Sequence, residues 1–193
     1  MSVTGIVVRS IAFTTLAMCL TATLAKSAET SSERGYEQET VLKEATDFFG
    51  EGAEGLGKVI EKVFSEQGRP NAYIKGKEVS GAFVVGARYG DGTLITKAGG
   101  QTKVHWTGPS IGFDAGGNAS KVFVLVYNLP NTAALYRRFP AVDGSFYFVG
   151  GVSANYHQVD DIILVPIRLG AGLRSGINVG YMHYRPNKSW NPF

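Results

Sequence analysis

Gly108-Pro109-Ser110-Ile111-Gly112 has the G-x-S-x-G spacing of a nucleophile elbow. That device needs a strand–turn–helix that presents the serine beside an oxyanion hole. Here Ser110 is followed by Ile-Gly-Phe-Asp-Ala-Gly-Gly, which reads as strand and then turn, and no βαβ pattern surrounds it. The pentapeptide is therefore expected as a Pro-Gly turn entering a strand. Gly50-Glu51-Gly52-Ala53-Glu54-Gly55 has the G-x-G-x-x-G spacing of a dinucleotide loop. Such a loop follows a strand and opens a helix whose amides meet phosphate. This copy interrupts a helical pattern and carries two glutamates, which repel phosphate. His105, His157 and His183 are the only histidines, and only His157 has acidic residues nearby, Asp160 and Asp161. No ligand-spaced set results, so no metal, cofactor or catalytic residue is expected. Asp160-Asp161 reads as a solvated turn. Arg137 and Arg138, with Arg185 and Lys188, form either a modest patch for anionic lipid or solvated surface charge.

The elements that must hold these residues are mostly strands. Val41, Leu42, Ala45, Phe48, Phe49, Leu56, Val59, Ile60, Val63 and Phe64 recur at helical spacing, with charged residues on the opposite face. Gly50, Gly52, Gly55 and Gly57 interrupt this pattern at about 1 kcal/mol each relative to Ala. One bent amphipathic helix or two shorter ones is expected, ending at Gly68-Arg69-Pro70.

Beyond it, apolar runs alternate with glycine turns, the pattern of an all-β sandwich or barrel. Strands are expected at Val79–Tyr89, Thr93–Lys97, Thr102–Trp106, Ser110–Asp114, Lys121–Tyr127, Phe146–His157, Ile162–Leu169 and Ile177–Tyr184. Gly90-Asp91-Gly92 and Gly108-Pro109 are expected as turns between them. In Lys121–Tyr127, Val122, Val124 and Val126 face one way, and Phe123, Leu125 and Tyr127 the other. A strand apolar on both faces is covered on both, and the helix is the available cover for one. Phe146, Phe148, Val152, Ala154 and Tyr156 are expected on one face, and Asn131–Phe139 as a short helix with Leu135 and Tyr136 inward. The fold class is mainly β: a small antiparallel barrel of about eight strands with the amphipathic helix packed on it.

The N-terminal residues read as a signal peptide over residues 1–28. Arg9 precedes an apolar run from Ser10 to Leu24, followed by the small residues Ala25, Ser27 and Ala28. Thr23 with Ala25, or Ala25 with Ser27, suits a signal peptidase. The alternatives are an uncleaved anchor or lipidation at Cys19, the only cysteine. Residues 29–39 read as a flexible leader, and 40–193 as one domain of a size that supports its own core. The formal net charge of +3 is too weak to suggest a nucleic-acid partner.

Three segments carry a resemblance. They are Gly81-Ala-Phe-Val-Val-Gly-Ala-Arg-Tyr-Gly-Asp-Gly92, Trp106-Thr-Gly-Pro-Ser-Ile-Gly-Phe-Asp-Ala-Gly-Gly117 and Val122-Phe-Val-Leu-Val-Tyr-Asn128. The chain resembles the EipA-type family of alphaproteobacterial periplasmic proteins, tied to envelope integrity. From about Tyr73 to Tyr156 it is also similar to the SYLF lipid-binding domain, although the first glycine spacing departs from that pattern. The resemblance implies a non-enzymatic, barrel-like periplasmic protein that supports the cell envelope, with a lipid or acyl-chain ligand and peripheral membrane contact. An outer-membrane eight-stranded barrel is the alternative. A small barrel can enclose one apolar ligand, and the residues available to line it are Phe83, Val85, Phe113, Phe123, Phe146, Phe148, Tyr156 and Tyr181. The same side chains would equally serve as a filled core.

Overall fold

The computed structural model describes residues 35–50, 54–114, 120–169 and 180–191, with the backbone alone for 81–85 and 110–114. The expected signal peptide and most of the expected leader lie outside the described residues.

The helical pattern resolves into two helices, α1 (Gln38–Phe49) and α2 (Leu56–Gln67). α1 buries Val41, Ala45 and Phe49; α2 buries Leu56, Val59, Ile60 and Val63. These i, i+3 and i+4 spacings give each helix one apolar stripe. Helices of 12 residues are marginal alone, so packing holds them. Gly50 ends α1 at φ 93° and Gly68 ends α2 at φ 73°, a region that favours glycine. Gly55 has a different reason: a Cβ there would stand 1.9 Å from the Val149 carbonyl oxygen. The interruption thus lets a strand hairpin approach the helix backbone.

Among the described residues nine strands form one antiparallel sheet: β1 (Ala72–Thr96), β2 (Gln101–Asp114), β3 (Ser120–Tyr127), β4 (Arg138–Pro140), β5 (Tyr147–Val149), β6 (Val152–Ala154), β7 (His157–Val159), β8 (Ile162–Leu169) and β9 (Tyr181–Arg185). The order is β4-β9-β2-β1-β3-β8-β6-β5, with β7 also paired to β8. The sheet curls into a half-barrel. Ala141, just past β4, makes an isolated bridge to His157 of β7.

Two expected turns are instead strand. β1 runs unbroken for 25 residues, through Gly90-Asp91-Gly92. Its first part pairs with β3 and its later part with β2, so one strand belongs to both halves of the sheet. The glycines make the curl rather than a turn. A Cβ on Gly76 would stand 2.6 Å from the Asp91 carbonyl oxygen, and one on Gly92 would stand 2.6 Å from that of Lys75. The early and late stretches of β1 therefore press backbone to backbone, an approach open only to glycine. β2 likewise runs through Gly108-Pro109. Pro109 sits opposite Ala87 of β1, and β9 pairs with β2 only over His105–Thr107. Its missing N–H breaks no ladder bond on that side.

β3 behaves as its alternation requires. Val122, Val124 and Val126 join Ile74, Leu94, Val104, Trp106, Leu135, Phe139, Leu164, Met182 and Tyr184 inside the curl. Phe123, Leu125 and Tyr127 face the helices, with Val41, Ala45, Val59, Ile60, Val63, Val165 and Ile167. The Phe123 ring stacks on Tyr73 at 5.2 Å between centroids. Leu135 lies in a short 3-10 turn, Thr132–Leu135, where the Asn131 side chain accepts from the Ala134 N–H. The long strand expected over Phe146–His157 is instead the β5–β6 hairpin. Gly150 and Gly151 turn it at φ 54° and 78°, the primed-turn geometry that suits right-handed strand twist.

Candidate functional site

Alternation decides what each side of the barrel wall carries. On the inner face, Glu78, Arg88 and Arg168 share the phase of Ile74, Leu94 and Leu164. Arg168 donates from Nε to Glu78 Oε1 at 2.9 Å and from an NH2 to Oε2 at 3.2 Å. Trp106 Nε1 donates to Glu78 Oε2 at 3.1 Å, and Arg88 Nε lies 3.3 Å from Oε1. A further Arg168 N–H donates to Asn155 Oδ1 at 3.0 Å, and Asn155 Nδ2 meets His157 Nε2 at 2.6 Å. His157 Nδ1 lies 3.1 Å from the Phe139 carbonyl oxygen. Burial alone would raise the Glu78 carboxyl, but Arg168 and Arg88 outweigh it and hold it at about 2. Burial, with Arg168 and Arg88, pushes His157 down to about 4. Glu78, Arg88 and Arg168 are thus committed to one another, and the described apolar side chains around them are buried.

The outer face of β1, β2 and β9 is different. Registers place Asp91, His105 and Arg185 in one row across the three strands, and Tyr89, Thr107 and His183 in the next. After β9 the chain folds back over these rows. The Tyr89 hydroxyl donates to the Trp190 carbonyl oxygen at 3.0 Å, and the two rings lie 5.7 Å apart. The Lys188 ammonium stands 4.5 Å from the centre of the Trp190 ring, a cation–π distance. Between sheet and tail is a cleft of about 270 Å³, lined by Tyr89, Asp91, His105, Thr107, Arg185, Lys188 and Trp190 with Val79, Trp106, Asn187 and Ser189. Two polar atoms in its lining, His105 Nδ1 and Thr107 Oγ1, are buried without a hydrogen-bond partner among the described residues. Arg185 donates to His183 Nδ1 from Nε at 3.3 Å and from a terminal nitrogen at 3.0 Å. His183 is lowered by burial, then by Arg185 and Arg138, which suits a neutral acceptor ring. The arrangement offers an apolar and aromatic wall, two cationic side chains and two unspent polar groups. A second recess, lined also by Tyr136, His183 and Tyr184, shares Arg185, Asn187, Lys188 and Ser189.

Of the residues expected to line an interior pocket, those whose side chains are described do not gather in one cavity. Phe123 and Tyr156 face the helices, where the Tyr156 hydroxyl donates to Glu66. Phe146 and Phe148 are 45% and 51% exposed, because the Gly150-Gly151 turn shifts the alternation and sends Tyr147 and Val149 toward the helices instead. Tyr181 lies in β9 beneath the Arg138 guanidinium, 5.0 Å from its ring centre. Phe83, Val85 and Phe113 lie on paired strands, Phe83 opposite Phe113, with side chains outside the described set.

Of the basic patch, Arg185 and Lys188 enter the cleft, while Arg137 pairs with Asp160 at 2.8 Å. Ser110 sits mid-strand in β2 opposite Gly86, not on a strand–turn–helix. Gly50 and Gly55 flank the gap between α1 and α2. Among the described residues no three His, Cys, Asp or Glu side chains gather as for a metal. Tyr89, Thr107 and Trp190 escaped the sequence reading. The aromatic, polar tail was the available signal, but nothing local says what it folds against.

Comparison with known proteins agrees with this architecture. A solved β-barrel-like, uncharacterised protein from Brucella abortus is similar at 46% identity and a TM-score of 0.76, over 83% of this chain and 99% of that one. No curated protein matches. The model of the family described as EipA, envelope integrity protein A, matches residues 34–193, and the chain belongs to that family.

Proposed function

We propose that this protein works in the periplasm as a non-enzymatic binding protein that supports envelope integrity through a lipid or acyl-chain ligand. We place the ligand in the cleft beneath the C-terminal tail rather than inside the barrel. One observation carries the reading: Val79, Tyr89 and Trp190 offer apolar surface beside Arg185 and Lys188. That pairing matches an amphiphile, which has both an apolar body and a polar head. The interior supports it less, since Trp106, Phe139, Leu164, Met182 and Tyr184 fill the described part at 0–1% exposure. Nothing favours the outer-membrane alternative. β4, β5, β6 and β7 are three residues each, where a spanning strand needs about 9–11.

The test is native mass spectrometry of protein released from the periplasm by osmotic shock, with lipid extraction of whatever co-purifies. A lipid-mass adduct on the wild-type chain that is lost in Trp190→Ala is expected. Protein that stays in carbonate-washed membranes, or that carries no adduct and binds no lipid in titration, overturns the reading.

A further inference from the structure

We propose that the cleft selects an acidic lipid headgroup, held at its His105–Thr107–Arg185 end, while the apolar part of the lipid lies against Val79, Tyr89 and Trp190. This rests on the lipid reading above and specifies its chemistry.

Size comes first. At about 270 Å³ the cleft falls below the roughly 300–1,000 Å³ that engulfs a drug-sized ligand. It accommodates a headgroup, and the chains must continue outside it. The surface they meet is Trp190, 71% exposed, and Val79, 42% exposed. Tyr89 fixes this platform by bonding to the Trp190 carbonyl.

Charge comes second. Arg185 and Lys188 line the cleft against a single carboxylate, Asp91. Asp91 is exposed, at the far end of its row, with His105 between it and Arg185. The anion-facing end is therefore the β9 side. A guanidinium has five N–H donors and accepts nothing; Arg185 uses Nε and one terminal nitrogen on His183, leaving its other terminal nitrogen for a ligand. Lys188 sits over the Trp190 ring, so its charge lies where head meets chain.

The unpaired polar atoms come third. Thr107 is 2% exposed, and its hydroxyl has no partner among the described residues; His105 Nδ1 is in the same position. Buried polar groups are nearly always hydrogen-bonded, and exceptions ask for an explanation. An oxygen-rich anion at this end would accept from Thr107 and Arg185 together, and charge-assisted bonds of that kind are the strong ones.

The experiment titrates full mature protein with short-chain dihexanoyl-phosphatidylglycerol and dihexanoyl-phosphatidylcholine, below their micellar concentrations, and with inorganic phosphate. Calorimetry and Trp190 fluorescence are the readouts. Phosphatidylglycerol should bind about tenfold tighter than phosphatidylcholine. Thr107→Val, nearly the same shape, should keep or raise the melting temperature while removing that preference. Lys188→Gln, at an exposed site, should weaken the acidic lipid alone, and Trp190→Ala should weaken both. Equal binding of the two lipids overturns the headgroup assignment and leaves the lipid reading intact. Binding of neither overturns both. Inorganic phosphate that competes at the same concentration as the lipid overturns the lipid source and reassigns the site to a free anion. A Thr107→Val chain that keeps its preference overturns the role of the hydroxyl floor.

Discussion

Arg168 Nε on β8 lies 2.9 Å from Glu78 Oε1 on β1, and both side chains are almost wholly buried inside the curl. The two strands are not neighbours; β3 stands between them. The pair therefore spans the sheet on its concave side. Removing one partner of a buried ion pair strands the other charge, at a cost of about 3–5 kcal/mol. Arg168→Met leaves Glu78 with Arg88 and Trp106 as its remaining partners and should lose up to about that much in urea denaturation. Glu78→Gln with Arg168→Met should lose clearly less than the sum of the single changes, because the two residues share one interaction.

Acid should unfold this protein in two successive windows. His157 titrates at about 4 in the fold against an ordinary 6.5. Between those values the unfolded chain holds a proton that the folded chain refuses, so stability falls as pH falls through the window. The geometry explains the refusal. Asn155 Oδ1 accepts from Arg168, so Asn155 Nδ2 is the group that faces His157 Nε2. A proton on Nε2 would set two donors against each other. Glu78, at about 2 against 4.5, continues the loss from pH 4.5 downward, with the same sign. A pKa that differs by one between the folded and the unfolded chain corresponds to about 1.4 kcal/mol of stability. Urea midpoints should drop between pH 7 and pH 4.5, and His157→Gln should flatten that slope. A midpoint that does not move in the wild type would contradict it.

The helix layer should couple to β3. The Phe48 ring lies 6.2 Å, and the Phe49 ring 6.4 Å, from Phe123. Phe123→Ala should cost about 3–5 kcal/mol, a large share of a domain's roughly 5–15 kcal/mol. Combined with Phe48→Ala the effect should be less than additive, as read from thermal melts.

Two glycines separate space from strain. A Cβ on Gly90 would fall 2.0 Å from the Trp106 ring, which has no room to retreat. Gly90→Ala should cost about 1–3 kcal/mol or more by overpacking. Gly57, early in α2, has nothing within 4 Å of such a Cβ. Gly57→Ala should stabilise by up to about 1 kcal/mol. Opposite shifts in melting temperature are the expected outcome.

Much of this molecule was legible along the chain, and the reason is local. Side-chain phase within an element follows from backbone geometry, so the two faces of β3, the apolar stripes of both helices and the mainly β class could be read directly. The wrong contexts of Ser110 and Gly50–Gly55 were equally local, since both motifs need a particular neighbouring element. Turns were harder. Gly90-Asp91-Gly92 and Gly108-Pro109 look like punctuation, yet both lie inside strands, because glycine serves close backbone approach as readily as it serves a turn. At Phe146 and Phe148 the opposite occurred: a hairpin at Gly150-Gly151 shifted the phase and left both rings exposed. Only tertiary structure paired Glu78 with Arg168, 90 residues apart, and brought Tyr89, Thr107 and Trp190 to one cleft. Strand registers and the path of the tail are decided by hydrogen bonds and packing between distant segments. No periodicity within a segment records which partner it will meet.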